Sequence, residues 1–138
     1  MSRTTTEPTV ALLMTPEPIT VSVDTPLTEV AETLARNRIS GAPVLDREGE
    51  LAGVISQTDL LRARAIEHLW SSWPGLRARH LMSQPALTVG PETSIDEAAR
   101  IMEEYRVHRL VVVSAETRRP IGVLSVSDLL HSMAQHHG

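Results

Sequence analysis

An internal repeat constrains the fold of this chain more than any other feature. When Met14 is aligned with Met82, identical residues recur at an offset of 68, and one extra residue in the Arg118-Arg119 turn later shifts the offset to 69. The matching pairs include Thr20/Thr88, Val21/Val89, Thr25/Thr93, Glu29/Glu97, Arg38/Arg106, Val44/Val112, Gly53/Gly122, Ser56/Ser125, Asp59/Asp128 and Leu61/Leu130. The chain therefore contains two copies of one structural unit, at 13–63 and 81–132.

Each copy predicts the element order β-α-β-β-α. Alternating and continuous apolar runs predict strands, and apolar residues three and four apart predict helices. The predicted strands are 19–21, 42–45 and 51–55 in the first copy and 87–89, 110–113 and 121–124 in the second. Thr25 is predicted as the N-cap of the first long helix, with Pro26 at its first helical position and its end near Asn37. Ser94 and Glu97 have the spacing of a capping box in the second copy.

The predicted fold class is α/β (α+β), with tandem β-α-β-β-α repeats. A unit of roughly 50 residues buries little apolar surface alone, so we expect the two sheets to pack on one another as a pseudo-twofold pair. The predicted domains are 10–63 and 81–134, joined by a connector at 64–80 whose first part continues a helix. Trp70 and Trp73 lie in this connector, where they either cover one end of the core or form a partner surface.

Composition excludes several classes of function. The chain of 138 residues is 41% hydrophobic, carries a net charge of −4 and has no Cys. An acidic chain without a basic cluster is a poor candidate for binding nucleic acid, and the absence of Cys excludes disulfides and thiolate chemistry. The longest apolar runs, at 10–14 and 110–113, are too short to span a membrane. We therefore expect a soluble cytoplasmic protein.

The repeated stretch Gly-h-h-Ser-x-x-Asp, where h is apolar, is the main candidate for a functional site. It begins at Gly53 and again at Gly122, and in each copy the Ser ends a strand and the Asp follows in the first helical turn. Ser and Asp at this spacing can simply cap the helix. They can also hold a ligand that carries a phosphate and a sugar diol. His131, His136 and His137 resemble a metal cluster on paper, but we expect a frayed tail and no metal site.

The chain resembles a pair of CBS (cystathionine β-synthase) domains, an arrangement called a Bateman module. The resemblance rests on Leu-Met-Thr-Pro at 13–16 with its echo Leu-Met at 81–82, on the segments 38–44 and 106–112, and on both Gly-h-h-Ser-x-x-Asp stretches. These motifs cover roughly 10–134, which is nearly the whole chain. Singly they are weak, but their order at matching spacing in both copies is specific.

The resemblance implies binding of adenosyl ligands, namely AMP, ADP, ATP or S-adenosylmethionine, in clefts between the two repeats. It implies that the motif Asp holds the ribose hydroxyls, that the motif Ser lies near phosphate, and that the adenine lies beside Thr20-Val21 or Thr88-Val89. His108-Arg109 matches a His-Arg pair that contacts phosphate in the nucleotide-sensing subunit of AMP-activated protein kinase, whereas the first repeat has uncharged Ser40-Gly41 there. The ligand-binding residues so predicted are Thr20, Val21, Ser40, Ala42, Pro43, Ser56, Asp59, Thr88, Val89, His108, Arg109, Leu110, Ser125 and Asp128.

The predicted function is regulatory sensing of such a ligand, without catalysis and without a required cofactor. The resemblance also implies a homodimer, to which we expect the apolar segment 10–14 to contribute, and an effector protein that acts in trans. The alternative is a ligand-free structural module that dimerises or docks on a partner. An enzyme is disfavoured because the sequence has no Cys nucleophile, no Gly-x-Ser-x-Gly, no Walker-type loop and no His-Glu-x-x-His.

Overall fold

A computed structural model of the chain describes residues 8–65 and 75–135. The helices in these ranges are α1 (Val10–Leu13), α2 (Leu27–Asn37), α3 (Gln57–Ala65), α4 (Ala78–Leu81), α5 (Ile95–Tyr105) and α6 (Val126–Gln135). The strands are β1 (Thr15–Pro16), β2 (Val21–Ser22), β3 (Gly41–Leu45), β4 (Leu51–Ser56), β5 (Thr88–Val89), β6 (Arg109–Val113) and β7 (Pro120–Ser125). The predicted order β-α-β-β-α is confirmed in both repeats, as β2-α2-β3-β4-α3 and β5-α5-β6-β7-α6. The fold class is mixed α/β.

The chain divides into two compact units, each built on one sheet. The first unit spans Ile19–Ala86 and has the strand order β2-β3-β4. The second unit combines Leu87–Gly138 with the N-terminal residues up to Pro18 and has the order β1-β7-β6-β5. β2 runs parallel to β3, and β5 runs parallel to β6. The longer strands form the antiparallel pairs β3–β4 and β6–β7.

The first residues of each sequence repeat pair with the sheet of the other repeat. Strand β1, at the start of the first repeat, pairs with β7 through Thr15 and Val123. Ser83, at the start of the second repeat, exchanges two backbone hydrogen bonds with Val54 in β4, at 3.1 and 2.8 Å. The spatial units are therefore not the same stretches of chain as the sequence repeats.

The motif glycines permit this exchange because they let a neighbouring segment approach closely. A Cβ at Gly53 would lie 2.6 Å from the Ser83 carbonyl oxygen, which is fixed backbone. A Cβ at Gly122 would meet the Met14 sulfur and would lie 3.1 Å from the Thr15 carbonyl oxygen. The Gly of Gly-h-h-Ser-x-x-Asp therefore has a packing role in both units.

Each unit has its own hydrophobic core on one face of its sheet. In both cores the central side chains, Ile55 and Leu124 among them, are completely buried. Burial of a side chain of this size is worth about 1.5–3 kcal/mol. The first core contains Val21, Leu27, Val30, Leu34, Ala42, Val44, Ile55, Ala63, Leu76 and Ala78, and the second contains Val10, Val89, Ala98, Met102, Leu110, Val112 and Leu124.

The start of α2 differs from the prediction. Pro26 occupies the N-cap position in extended conformation and the helix begins at Leu27, so the assignment of Thr25 as N-cap was wrong. Thr25 Oγ1 instead accepts a hydrogen bond from the Ser22 N–H at 3.0 Å, and Thr93 accepts the equivalent bond from Gly90 at 3.2 Å. Thr25 and Thr93 therefore close the turns that precede α2 and α5, and neither serves as the N-cap of its helix.

The second long helix begins with one half of the predicted capping box. Ser94 is the N-cap of α5 and its Oγ accepts a hydrogen bond from the Glu97 N–H at 3.1 Å. The Glu97 carboxylate forms an ion pair with Arg100 on the exposed surface of the helix. In the described residues, no helix is long and apolar enough to cross a membrane.

Candidate functional site

The Ser-x-x-Asp stretch of the first unit forms a reciprocal helix cap at the end of β4. Asp59 Oδ2 accepts hydrogen bonds from the Ser56 N–H at 2.8 Å and from the Ser56 hydroxyl at 3.0 Å. The Ser56 Oγ in turn accepts from the Asp59 N–H at 3.3 Å. Asp59 is the single charged residue among the buried side chains of the described chain, with 8% of its surface exposed. Its burial is possible because its charge is hydrogen-bonded.

The second unit repeats this cap at the end of β7 with nearly the same distances. Asp128 Oδ2 accepts from the Ser125 N–H at 2.8 Å and from the Ser125 hydroxyl at 3.1 Å. The Ser125 Oγ accepts from the Asp128 N–H at 3.2 Å. The capping interpretation of the motif is therefore correct for both copies. It uses Oδ2 of each carboxylate, and a ligand would have to be held by Oδ1.

The residue one helical turn beyond each carboxylate differs between the units. In the first unit Arg62, one turn further along α3, places its Nη1 at 3.2 Å from Asp59 Oδ1. In the second unit the corresponding position is His131, and the contacts described for the Asp128 carboxylate are those with Ser125. Arg62 was not among the predicted ligand-binding residues, although its spacing of three residues from Asp59 on a helix favours such a pair.

The start of the middle strand lies directly beside each cap. In the first unit Gly41 is paired with Ser56, and the Gln57 N–H donates to the Ser40 carbonyl at 2.8 Å. In the second unit Arg109 is paired with Ser125, and the Val126 N–H donates to the His108 carbonyl at 3.0 Å.

Because residues opposite each other in an antiparallel pair share a face, the half-buried Arg109 and Ser125 lie on the same side of their sheet. His108 is exposed beside them. The second unit therefore has an imidazole and a guanidinium where the first unit has the exposed hydroxyl of Ser40 and a glycine.

Four of the predicted ligand residues contribute their side chains to the hydrophobic cores. They are Val21, Ala42, Val89 and Leu110. Pro43 is also fully buried. The side chains of these five residues are committed to packing, so any contact that they make with a ligand must come from their backbone.

The leading strands place the two predicted Thr residues differently. Val21 is paired with Val44, so Thr20 lies just before the paired part of β2 and its side chain is half-buried. Thr20 and Val21 line a cavity of about 360 Å³ that extends to Leu45, Asp46 and Gly49, away from the Ser56 end of β4. Thr88 is paired with Val111 and is exposed. In each unit the Ser and Asp of the motif lie beside the start of the middle strand, at 40–41 in the first unit and at 108–109 in the second. We call this region the corner of the unit. Thr20 and Thr88 lie on or next to the edge strands β2 and β5.

Three arginines of the first unit surround Asp24, and the sequence repeat did not predict this cluster. Asp24, in the turn before α2, binds Arg47 through two hydrogen bonds of 3.0 and 3.2 Å and also pairs with Arg79. Arg77 Nη1 donates to the Asp24 backbone carbonyl at 2.8 Å. The hydrogen bond from Arg47, with the charges of all three arginines, holds the pKa of Asp24 below its ordinary value of 3.8.

The structure does not describe the predicted Trp connector or the last two histidines. Trp70, Trp73, His136 and His137 fall outside the described ranges. Within 8–65 and 75–135, no group of three or more His, Asp or Glu side chains is arranged to hold a metal ion.

Two units of the same β-α-β-β-α order, each with a Ser-x-x-Asp cap, define a tandem-repeat α/β module with two related corners. The sequence profile of the CBS domain matches this chain twice, at residues 10–66 and 78–135. The chain belongs to the CBS domain family, as its motifs predicted.

Known proteins resemble this chain over most of its length. An uncharacterised protein of Methanocaldococcus jannaschii, MJ1426, is 27% identical over 146 residues that cover 85% of this chain and 86% of that protein. The structure of the CBS-pair protein CBSX2 in complex with AMP has a TM-score of 0.79 and is 31% identical, covering 92% of this chain and 96% of that chain.

A second structure shows the fold alone. The CBS domain pair of protein MJ0100, in complex with 5′-methylthioadenosine and S-adenosyl-L-methionine, has a TM-score of 0.83 at 22% identity and covers 94% of this chain and 98% of that chain.

Proposed function

We propose that this protein is a regulatory module that binds an adenosine-containing ligand and signals to a partner protein. The observation that carries the proposal is the corner at Ser125 in the second unit. The Ser125 hydroxyl is hydrogen-bonded to the Asp128 carboxylate there, and Arg109 is paired with Ser125 across the strands, so its side chain starts from the same face of the sheet. Each of these groups matches one part of a nucleoside phosphate.

Asp128 supplies the contact for the ribose. Its Oδ2 is held by Ser125, which fixes the orientation of the carboxylate and leaves Oδ1 to accept from a ribose hydroxyl. Because an ionised acceptor makes a strong hydrogen bond, this contact is expected to be worth about 1.5–3 kcal/mol.

Arg109 and His108 supply the contacts for the phosphate. A guanidinium can donate two parallel hydrogen bonds to phosphate oxygens, and His108 adds an exposed donor beside it. The positive end of the α6 dipole favours an anion at the same corner.

The adenine base is recognised by backbone. The core positions of Val89 and Leu110 leave only the N–H and C=O groups of β5 and β6 to read its edge. The complex of CBSX2 with AMP, at 31% identity, supports an adenine nucleotide as the ligand class. AMP, ADP and ATP are the first candidates, and S-adenosylmethionine is the fourth.

Thermal unfolding of extensively dialysed protein tests the proposal. AMP at 100 times its dissociation constant should add about 2.7 kcal/mol of stability, which raises Tm by several degrees. The Asp59→Ala/Asp128→Ala double variant should lose this gain, whereas Ser127→Ala, an exposed neighbour in the same turn, should keep it. If AMP, ADP, ATP and S-adenosylmethionine all leave Tm unchanged, the sensing function is wrong.

The proposed module is a homodimer that acts on its effector in trans. Leu12 on α1 and Leu130 and Met133 on α6 are large apolar side chains with 72%, 58% and 68% of their surfaces exposed. α1 and α6 are in contact within their unit, and a second copy is proposed to cover these exposed side chains. Within the segment 10–14 that we expect to contribute, Val10 is completely buried in the core of its own unit, so Leu12 is the residue proposed to make the contact. Light scattering should show a dimer for the wild type and a monomer for Leu130→Glu/Met133→Glu.

A second candidate is a ligand-free structural module. The hydrogen bonds of both Asp carboxylates to their own Ser residues favour it, because helix capping alone explains Ser-x-x-Asp. A dimer that is unaffected by all four adenosyl compounds would support this candidate over the first.

A further inference from the structure

Two methionines at matched positions of the repeats, Met14 and Met82, lie against the motif glycines. A Cβ placed on Gly53 would lie 3.0 Å from the Met82 sulfur and 3.2 Å from the Met82 Cγ. A Cβ placed on Gly122 would meet the Met14 sulfur and would lie 3.0 Å from the Met14 Cγ. In each unit a thioether therefore fills the space that the glycine leaves open.

Met14 anchors the segment 14–17, which we call the crossing segment of the second unit. Its strand β1 has two residues, both paired with β7, and the Glu17 N–H donates to the Ile121 carbonyl at 3.3 Å. The Met14 side chain packs against the core of this unit. Because few backbone hydrogen bonds hold so short a strand, the attachment of the segment depends on this side-chain contact.

Met82 has the same role in the first unit, where the crossing segment is 82–83. Ser83 exchanges two backbone hydrogen bonds with Val54, and the Met82 side chain packs against the core of the first unit. Here too a half-buried thioether on a glycine supports a short backbone contact.

A small oxidant can reach both of these thioethers. Met14 and Met82 are half-buried, whereas Met133 on α6 is 68% exposed and Met102 is 5% exposed in the core of the second unit. The susceptibility of a methionine to oxidation follows its exposure. We therefore expect Met133 to react first, Met14 and Met82 next, and Met102 when the protein unfolds.

Oxidation by a peroxide adds one oxygen to each sulfur. A lone pair of the thioether attacks one peroxide oxygen, the S–O bond forms as the O–O bond breaks, and the other oxygen leaves with both protons as water. The sulfur is oxidised by two electrons and the peroxide is reduced by two. The product is a polar sulfoxide, whose oxygen would have to lie against a glycine backbone and an apolar core. The oxidised side chain is therefore expected to leave the glycine and turn to solvent.

We propose that Met14 and Met82 are a matched pair of oxidation sites, at which a peroxide converts the thioether to the sulfoxide and detaches the crossing segment from its sheet. Each segment pairs with the residue two positions before Ser125 or Ser56, so its detachment loosens the strand that carries the motif. Methionine sulfoxide reductases reduce the product, so the change is reversible. No adenosyl ligand takes part, so the test is independent of the function proposed above.

The test treats full-length Met133→Leu protein with hydrogen peroxide, because this change removes an exposed thioether and keeps an apolar side chain. Mass spectrometry measures the sulfoxide at each position, and thermal unfolding measures stability. Complete oxidation at 14 and 82 should lower Tm by about 3–8 °C, and treatment with methionine sulfoxide reductases should restore it. Met14→Leu/Met82→Leu in the same background should keep its Tm after peroxide, because leucine has a similar volume and no sulfur.

Amide hydrogen exchange locates the change within the fold. After oxidation the amides of Ser83, Val54 and Glu17, whose hydrogen bonds hold the crossing segments, should exchange about tenfold faster or more. Amides in the middle of α2 and α5 should keep their protection, because these helices do not depend on the crossing segments. Met14→Leu/Met82→Leu should show no acceleration after the same treatment.

Three results would overturn the inference. One is resistance of the thioethers at 14 and 82 to peroxide under conditions that convert Met133 of the wild type completely. Another is complete oxidation at both positions without a change in Tm. The third is an equal acceleration of exchange in the crossing segments and in α2 and α5, which would indicate general loosening of the fold. If Met14→Leu/Met82→Leu does not fold, a peroxide dose series on Met133→Leu decides, since Tm should fall in proportion to the sulfoxide at 14 and 82.

Discussion

The corners at Ser56 and Ser125 have the same backbone and the same helix cap, but their surroundings carry different charges. In the first unit the Asp59 carboxylate is paired with Arg62, and its neighbours are Ser40 and Gly41. In the second unit the Asp128 carboxylate contacts Ser125, and its neighbours are His108 and Arg109. Repetition has thus preserved the part that folds the corner, while the residues that can bind an anion have diverged.

The comparison separates structural from ligand-binding roles within one motif. Gly and Ser-x-x-Asp are present in both copies because each sheet needs a close neighbouring segment and each closing helix needs a cap. The cation at the start of the middle strand is present in one copy, and the other copy forms the same strand pair with Gly41 in that position. We therefore expect stability to depend on both copies and ligand binding to depend mainly on the second.

The largest effect on stability is expected from the motif glycines. Gly53→Ala should cost about 2–3 kcal/mol of unfolding free energy, because its Cβ would meet the backbone carbonyl of Ser83. Gly122→Ala should cost less, about 1–2 kcal/mol, because the Met14 side chain can move aside. Urea denaturation measures both. Gly90→Ala is the control, since its nearest contact would lie 3.9 Å away. Equal losses for Gly53 and Gly122 would show that the neighbouring segments are equally rigid.

A smaller effect is expected from the two helix caps. Asp59→Ala and Asp128→Ala should each cost about 1 kcal/mol, because each removes the acceptor for the Ser N–H and hydroxyl. Asp59→Ala should cost a few tenths of a kcal/mol more, since it also removes the pair with Arg62. Thr58→Ala and Ser127→Ala, which alter exposed positions in the same turns, should be close to neutral in urea denaturation. A cap that is worth nothing in either unit would contradict the structural role assigned to the motif.

The smallest effect concerns Asp24, whose arginine partners exist in the first unit alone. Its folded pKa is lowered, so its charge stabilises the fold above its ordinary pKa of 3.8 and this contribution is lost as pH falls through the lower folded value. The difference in urea midpoint between wild type and Asp24→Asn should therefore be present near neutral pH and vanish in strong acid. Because the group is exposed, the difference should be small and should decrease with added NaCl. Glu92→Gln, the matched substitution in the other repeat, serves as the control.

The sequence predicted the element order because the repeat and the apolar periodicities report local structure directly. The helix end at Asn37 and the strands of both repeats lie within one or two residues of their predicted bounds. The N-cap of α2 was missed because Thr25 matches Thr93, which closes a turn, whereas the true equivalent of the cap Ser94 is Pro26. The alignment contained that information, but the preference of Thr for N-caps was given more weight.

Contacts between distant segments could not be predicted. The pairing of β1 with β7 and of Ser83 with Val54 depends on which sheet each leading segment joins, and no periodicity encodes that choice. The pairs Ser56-Asp59 and Ser125-Asp128 were predicted because a separation of three residues at the start of a helix places the two side chains close together. The convergence of Arg47, Arg77 and Arg79 on Asp24 joins residues far apart in sequence and gave no signal.

Isothermal titration of AMP into three proteins tests the difference between the corners most directly. The wild type should bind AMP, Asp128→Asn should weaken binding about ten- to a hundredfold, and Asp59→Asn should change it less than about twofold. Asparagine keeps an acceptor for the cap, so both variants should remain folded. If Asp59→Asn weakens AMP binding as much as Asp128→Asn, or more, the assignment of the ligand to the corner with His108 and Arg109 is wrong.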